Sequence, residues 1–324
     1  MATVTLKLVT RYKSALKHRR QAVGQEAVYK LEARSCRLSV ETQQLKMALV
    51  SALVVAMLAA AATGQFQPRP ATEDVPPFPP NGPPASSKLT AGRLFLGGDL
   101  SEAQKKQHAW ERSGQFEGDI VFPNGLRPAN GIIFESWKWN SLQVPYFIDP
   151  LFTRAQRAVI LGAIDEYHRR TCIRFRPYVR TDPDYVYITG NFSGCYSYIG
   201  RVANGQILNL EYNGGCVFHD TVLHELLHAL GFYHMQSTSK RDNHVTILWD
   251  NIMTGFEHNF EIYNTTDFGT PYDYISTMHY SRFAFSSNGQ PTIESKQGHS
   301  SLGTAKNLTD LDIFKLHTLY GCRT

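Results

Sequence analysis

Residues 224–234, His-Glu-Leu-Leu-His-Ala-Leu-Gly-Phe-Tyr-His, constrain this chain more than any other stretch. On a helix, positions four apart share a face, so His224 and His228 can offer both imidazoles to one ion. Gly231 can take the left-handed conformation that ends a helix and reverses the chain, which brings His234 to the same ion from another direction. Three protein ligands leave a fourth position open, as in catalytic zinc sites, where a bound water is polarised and loses a proton near neutral pH. Glu225, beside the first histidine, is placed to accept that proton. Leu223, Leu226, Leu227 and Leu230 fall at i, i+3, i+4 and i+7, an apolar stripe on a different side of the predicted helix from the histidines. One face packs while the other chelates. The spacing implies a zinc site of the peptide-hydrolysing kind.

The pattern continues well past this helix. Ser276-Thr-Met278-His279-Tyr280 resembles the Met-turn of the metzincins. Val144-Pro-Tyr146, Cys172-Ile-Arg-Phe175, Val245-Thr-Ile-Leu-Trp-Asp-Asn-Ile252, Tyr272-Asp-Tyr274 and Leu319-Tyr-Gly-Cys322 are similar to segments of the astacin family within that class. The resemblance spans about residues 130 to 322. It implies an α+β, two-lobed, zincin-like protease domain: a twisted mixed sheet with two helices before Gly231, then an irregular C-terminal lobe ending in a helix near Thr309 to Tyr320. Local patterning fits, since residues 154–171 have helical spacing, while Tyr185–Thr189 alternates like a strand and Ile207–Leu210 reads as another. The resemblance further implies one zinc ion per chain, held by His224, His228 and His234, with Glu225 carrying the proton. Met278 would form an apolar floor under the metal. Tyr280 would coordinate the ion at rest and swing to stabilise the oxyanion of the tetrahedral intermediate. A peptide would lie extended across the cleft and pair with an edge strand. The remaining histidines, including His219, His244 and His279, read as packing or surface residues.

Two positions depart from the family pattern. A glutamate usually follows the third histidine and pairs with the buried amino terminus of the mature enzyme; here Met235 stands there, so that salt bridge cannot form. The stretch Gln236-Ser-Thr-Ser-Lys-Arg241-Asp242 keeps only Arg241 and Asp242 of a charged pattern, and solvent-facing charges are at least as good a reading of them as a structural pair.

Composition places the chemistry outside the cell. Met47 to Ala62 is an uncharged apolar run followed by Thr63-Gly64, the shape of a signal peptide over residues 47–64. It is shorter than the roughly 20 residues a membrane span needs, so no stable membrane association is expected. Residues 1–46 precede it, which points to translation from Met47, to a gene-model extension, or to a basic transit peptide. They hold ten Lys or Arg against three acidic residues, a net charge of +7, while residues 47–127 balance at 0 and residues 128–324 stand at −2. The basic character therefore resides in a segment expected to be absent from the mature protein, and nucleic-acid binding is not expected. Of five cysteines, Cys36 falls in that extension, leaving Cys172, Cys195, Cys216 and Cys322 with three possible connectivities. The astacin resemblance selects Cys172 with Cys322 and Cys195 with Cys216. Three sequons, at Asn191, Asn264 and Asn307, are compatible with glycosylation.

Residues 65–127 read as a propeptide. Its proline-rich part, 66–86, is expected to be an extended, mobile spacer. Phe116-Glu-Gly-Asp119-Ile120 resembles the astacin propeptide motif whose aspartate binds the zinc in the precursor, so Asp119 would displace the catalytic water and silence the zymogen. An activating protease would cut between Arg127 and Asn130. The expected product is a secreted, minimal catalytic domain, residues 128–324, acting on extracellular proteins or peptides. The competing reading is a catalytically inactive, astacin-like secreted binding or coat protein.

Overall fold

The computed structural model describes residues 74–80, 109–122 and 135–322, all within one compact unit, residues 72–324. The extension 1–46, the signal run 47–64 and the cleavage region 127–130 lie outside the described residues.

The first lobe is a sheet with helices on one face. Its strands are β1 (Ile120–Val121), β2 (Gln143–Ile148), β3 (Arg174–Pro177), β4 (Val186–Thr189), β5 (Cys195–Tyr198) and β6 (Gln206–Leu210), in spatial order β1-β5-β6-β4-β2-β3. Neighbours are parallel except β5 and β6, so the sheet is mixed. Strand side chains alternate between faces. Val144, Ile148, Val186, Ile188, Leu208 and Leu210 turn toward the helices and form the main core with them. Phe147, Tyr187, Tyr196, Tyr198 and Ile207 turn the other way, where no helix lies among the described residues, and form separate aromatic-rich clusters.

Helix α1 (Arg154–Arg170) begins at a capping box, in which Thr153 accepts from the Gln156 N–H and Gln156 bonds back to the Thr153 N–H. Its buried Ile160, Ala163, Ile164 and Tyr167 repeat at i, i+3, i+4 and i+7, the stripe that seats it on the sheet. Helix α2 (His219–Ala229) packs beside it. The Cys195–Cys216 disulfide joins β5 to the segment leading into α2.

Beyond Gly231 the chain turns irregular, as the resemblance implies. Short 3₁₀ turns and one antiparallel pair, β7 (Val245–Ile247) with β8 (Ile293–Ser295), surround a smaller core that includes Met235, Phe260, Tyr280 and Phe285. Helix α3 (Asp310–Tyr320) closes the lobe between a Thr309 capping box and Gly321, whose φ of 63° makes the left-handed stop. The Cys172–Cys322 disulfide then ties the chain just past α3 to the end of α1.

One expectation needs correction, and one open reading is decided. Residues 74–80 are extended but docked: Pro76 and Pro79 are buried, Phe78 packs edge-on to Tyr187, and Tyr185 Oη donates to Pro77 O. Arg241 is 3% exposed; its guanidinium donates to Gln236 O at 3.1 Å and to Asp242 Oδ1 at 2.6 Å. It is a structural cation that takes up a loop carbonyl.

Candidate active site

Helix α2 carries His224, Glu225 and His228, and its end is built so that His234 returns to them. Gly231 sits at φ 102°, Phe232 N bonds to Leu227 O at 3.0 Å and Gly231 N to His228 O at 2.7 Å. That pair of bonds is a Schellman stop, and it reverses the chain within three residues of His234. Side chains from three other places clamp the same helix: Tyr167 Oη donates to Leu223 O, Trp139 Nε1 to Ala229 O and Tyr320 Oη to Leu230 O.

The turn at 276–280 is pinned from α3. Ser276 Oγ and the Thr277 N–H both donate to Asp312, at 2.6 and 3.0 Å. The turn in turn fixes the histidines: Thr277 O accepts from His224 Nδ1 at 2.7 Å, and Met278 O accepts from the N–H of Met235 at 2.8 Å. Met278 itself is 3% exposed and packs in the main core with the α2 leucines.

The histidine protons can be assigned from their partners. Thr277 O and Phe232 O can only accept, so Nδ1 of His224 and of His228 (2.7 Å each) must carry the proton. His234 Nδ1 lies 2.8 Å from Glu117 Oε2. In the neutral rings each Nε2 is then a lone pair, and the three lone pairs face one another. His224 Nε2 is 3.0 Å from that of His228 and 3.2 Å from that of His234. Asp119 completes the group, with Oδ2 at 3.0 Å from His224 and Oδ1 at 3.3 and 3.2 Å from His228 and His234.

Three nitrogen lone pairs and a carboxylate around one point repel unless a cation lies between them. Ligand atoms of a tetrahedral ion with bonds of about 2.05 Å stand about 3.3 Å apart, which is the spacing seen here. The donor set therefore fits one zinc ion, and these four are the group among the described residues able to hold a metal. Glu225 is fully buried, and neither carboxylate oxygen has a hydrogen-bond partner. Burial, reinforced by the charge of Asp119, pushes its carboxyl well above its usual value. Burial acts upward on Asp119 as well, but its contacts with His234, His228 and His224 outweigh it and hold that carboxyl low.

The segment bearing Asp119 fills the cleft. Glu117 (φ 47°) and Gly118 (φ 90°) are the middle residues of a tight turn closed by Asp119 N to Phe116 O, with the two positive φ values of a type I′ turn. A Cβ at Gly118 would approach ring atoms of Phe285 and Trp110 to 3.1 Å, so a side chain there would also have to displace a ring slightly. After the turn, β1 pairs with β5, the strand that would be the edge of the sheet without this segment, Ile120 opposite Ser197. The edge strand thus receives an extended segment, here running parallel and belonging to the chain itself.

Comparison with known proteins sets this geometry in context. The family model of Astacin, a peptidase family, matches residues 132–321. The chain belongs to the astacin family. It is 38% identical over 240 residues to Zinc metalloproteinase nas-7 of Caenorhabditis elegans, covering 73% of this chain and 59% of that protein. To nas-6 of the same species it is 38% identical over 245 residues, 72% of this chain and 70% of that one. This astacin thus spans under two thirds of the length of nas-7. Among solved structures it is similar to High choriolytic enzyme 1, a hatching enzyme zinc-protease from Oryzias latipes (medaka), at 32% identity and a TM-score of 0.53, covering 62% of this chain and all of that one. The fold is accordingly that of the astacin-like metzincins.

Several residues of this astacin's site escaped the sequence reading. Glu117 is fully buried, its Oε1 accepts from Ser237 Oγ, and its backbone O accepts from Tyr280 Oη at 2.5 Å. Tyr280, fully buried, therefore spends its hydroxyl on this turn, with Trp110 stacked on its ring at 4.8 Å. The sequence signal for Glu117 was its place inside the Phe116–Ile120 motif. For Asp312 it was the Thr309-x-x-Asp312 capping box. His219 and His279 stand apart from the cluster, His219 on Glu166 and His279 on Tyr272 Oη, each at 2.8 Å. Met235 leaves a buried cation near the site: Lys315 Nζ lies 3.1 Å from its sulfur, and burial lowers that ammonium's pKa.

Proposed function

We propose that this astacin is a secreted zinc metalloendopeptidase made as a zymogen and acting on extracellular proteins or peptides. One observation carries the reading: three imidazole lone pairs and Asp119 converge at 3.0–3.3 Å beside a buried, unpartnered Glu225. His224, His228 and His234 would hold the zinc, which supplies Lewis-acid polarisation of a water and of the scissile carbonyl. Glu225, in the shielded site, takes a proton at its carboxylate and returns it to the leaving amine. Tyr280 Oη, once free of Glu117 O, is the donor for the oxyanion. The edge strand β5 aligns the peptide backbone.

Asp119 acts as the inhibitory ligand, because its oxygens occupy the place a water or carbonyl needs. Cleavage between Arg127 and Asn130 by an activating protease separates it from the enzyme. Secretion is supported by the apolar run at 47–64 and by two disulfides that use every cysteine of residues 128–324. No helix among the described residues is long and apolar enough to cross a membrane. Of the three sequons, Asn191 is the least suited to glycosylation, since its Nδ2 already donates to Thr189 Oγ1 at 2.9 Å.

The test is cleavage of a mixed peptide library by the full chain after trypsin processing and trypsin removal, beside an identically treated Glu225→Ala variant. Chelator-sensitive cleavage by the wild type alone is expected. A correctly processed, zinc-loaded wild type as silent as the variant would overturn the reading in favour of an inactive binding scaffold.

A further inference from the structure

The face of the sheet opposite α1 and α2 carries an aromatic groove, and a proline-rich strip of the same chain is seated in it. Phe147 on β2 and Tyr187 on β4 lie beside Tyr178 and Tyr185, and Phe192 follows in the loop to β5. Against them runs Asp74-Val-Pro-Pro-Phe-Pro-Pro80. Pro76 and Pro79 are buried while Val75, Pro77, Phe78 and Pro80 are exposed. A polyproline II helix has three residues per turn, so burial at i and i+3 is one face of such a helix. The same register is used when proline-rich ligands dock on aromatic-lined grooves.

The polar contacts suit such a ligand. Proline offers carbonyls but no N–H, and Tyr185 Oη donates to Pro77 O at 2.5 Å. Asp74 Oδ2 accepts from the Arg180 N–H at 3.1 Å, which orients the strip. The Phe78 ring packs edge-on to Tyr187 at 5.5 Å and lies 6.5 Å from Phe192. Phe192 in turn shares a cluster with Tyr196 and Tyr198 of the edge strand and with Val121, two residues past Asp119. Packed side chains therefore connect the groove to the strand beside the cleft.

We propose that this groove is an exosite for proline-rich, extended segments of protein substrates, masked in the zymogen by residues 74–80 and exposed when they are removed. The inference rests on the proposed processing, because an uncut chain keeps its own strip in place.

The probe is a fluorescein-labelled peptide of residues 73–81, Glu-Asp-Val-Pro-Pro-Phe-Pro-Pro-Asn. It is titrated against three proteins: the intact full chain, the trypsin-processed chain purified from its fragments, and an intact full chain carrying Pro76→Ala and Pro79→Ala. The processed chain and the doubly substituted chain should bind it saturably, and the intact wild type at least about tenfold more weakly, as expected of a tethered competitor. A peptide with both alanines should lose at least about tenfold in affinity. Tyr185→Phe in the processed chain should cost about fivefold, the worth of one neutral hydrogen bond. Fusing residues 73–81 to a cleavable protein should lower its KM and leave kcat unchanged. Binding that ignores the two prolines, no binding to the doubly substituted chain, or a KM indifferent to the fused segment would overturn the exosite. Failure of trypsin to yield a chain starting between residues 128 and 130 would instead overturn the processing, and the doubly substituted intact chain would still decide the groove.

Discussion

Residues 74–80 and residues 109–122 hold the same domain by different physics. The second segment enters the cleft through a turn that few sequences can form, and there it places two carboxylates, a tryptophan and a short strand. Each contact is directional, and several are charge-assisted. The first segment lies on an open aromatic face, using proline rings, one phenylalanine and a single tyrosine hydroxyl. Its ordering costs little entropy because proline is already stiff. A lock on chemistry needs geometry fixed to fractions of an ångström, whereas an anchor on a surface needs area and the right period.

The largest effect should come from Asp119. Replacing it with Ala should let the intact chain hydrolyse a fluorogenic peptide at least about tenfold faster than the intact wild type, since even 1.4 kcal/mol of lost inhibition gives that factor. An intact Asp119→Ala chain as silent as the wild type would mean that bulk, not the carboxylate, closes the cleft. Glu117→Gln comes next. A carboxylate on the outer nitrogen of a ligating histidine typically supports metal affinity by about 10–100-fold, and His234 Nδ1 draws on Glu117 alone among the contacts shown. Chelator competition on the intact chain should show zinc loss in that range, with the processed chains indistinguishable. A smaller effect is expected from Pro76→Ala with Pro79→Ala: about 1–2 kcal/mol in thermal or denaturant unfolding, the free energy that a tenfold mask implies, and no release of activity. Unmasked activity in that variant would merge the two segments into one lock.

Titration separates them further. Burial, joined by the charges of Tyr178 and Tyr187, pushes the Tyr185 hydroxyl up to about 12. A raised value means that its neutral, donating form contributes fully below the ordinary tyrosine value, and that the contribution drains as pH rises toward about 12. Binding of the residue 73–81 peptide should therefore be flat from about pH 6 to 9 and weaken only above about 10. A fall within the flat range would place a different group in the groove.

How much of this was legible in the sequence depends on how local the cause is. The α2 helix, its glycine stop and the three histidines follow from spacing, because four-residue stacking and a left-handed glycine act over a few residues. The edges of α1 and α3 follow from Thr153 and Thr309 for the same reason. Asp312 was harder: its cap is local, but its grip on Ser276 and Thr277 joins positions 35 residues apart. The docking of residues 74–80 was misread because low periodic apolar content signals the lack of a core, not the lack of a partner surface. Arg241 reads either way in the sequence because a charge in a loop looks solvated until the carbonyl it covers is known.

The central claim, a zinc held by three histidines and capped by the chain's own aspartate, is tested most directly by zinc K-edge X-ray absorption on the intact chain and on its Asp119→Ala variant. The account predicts three imidazole nitrogens in both, with a carboxylate oxygen in the intact wild type that is replaced by a water-like oxygen in the variant. Identical spectra, or a shell with fewer than three imidazoles, would contradict it.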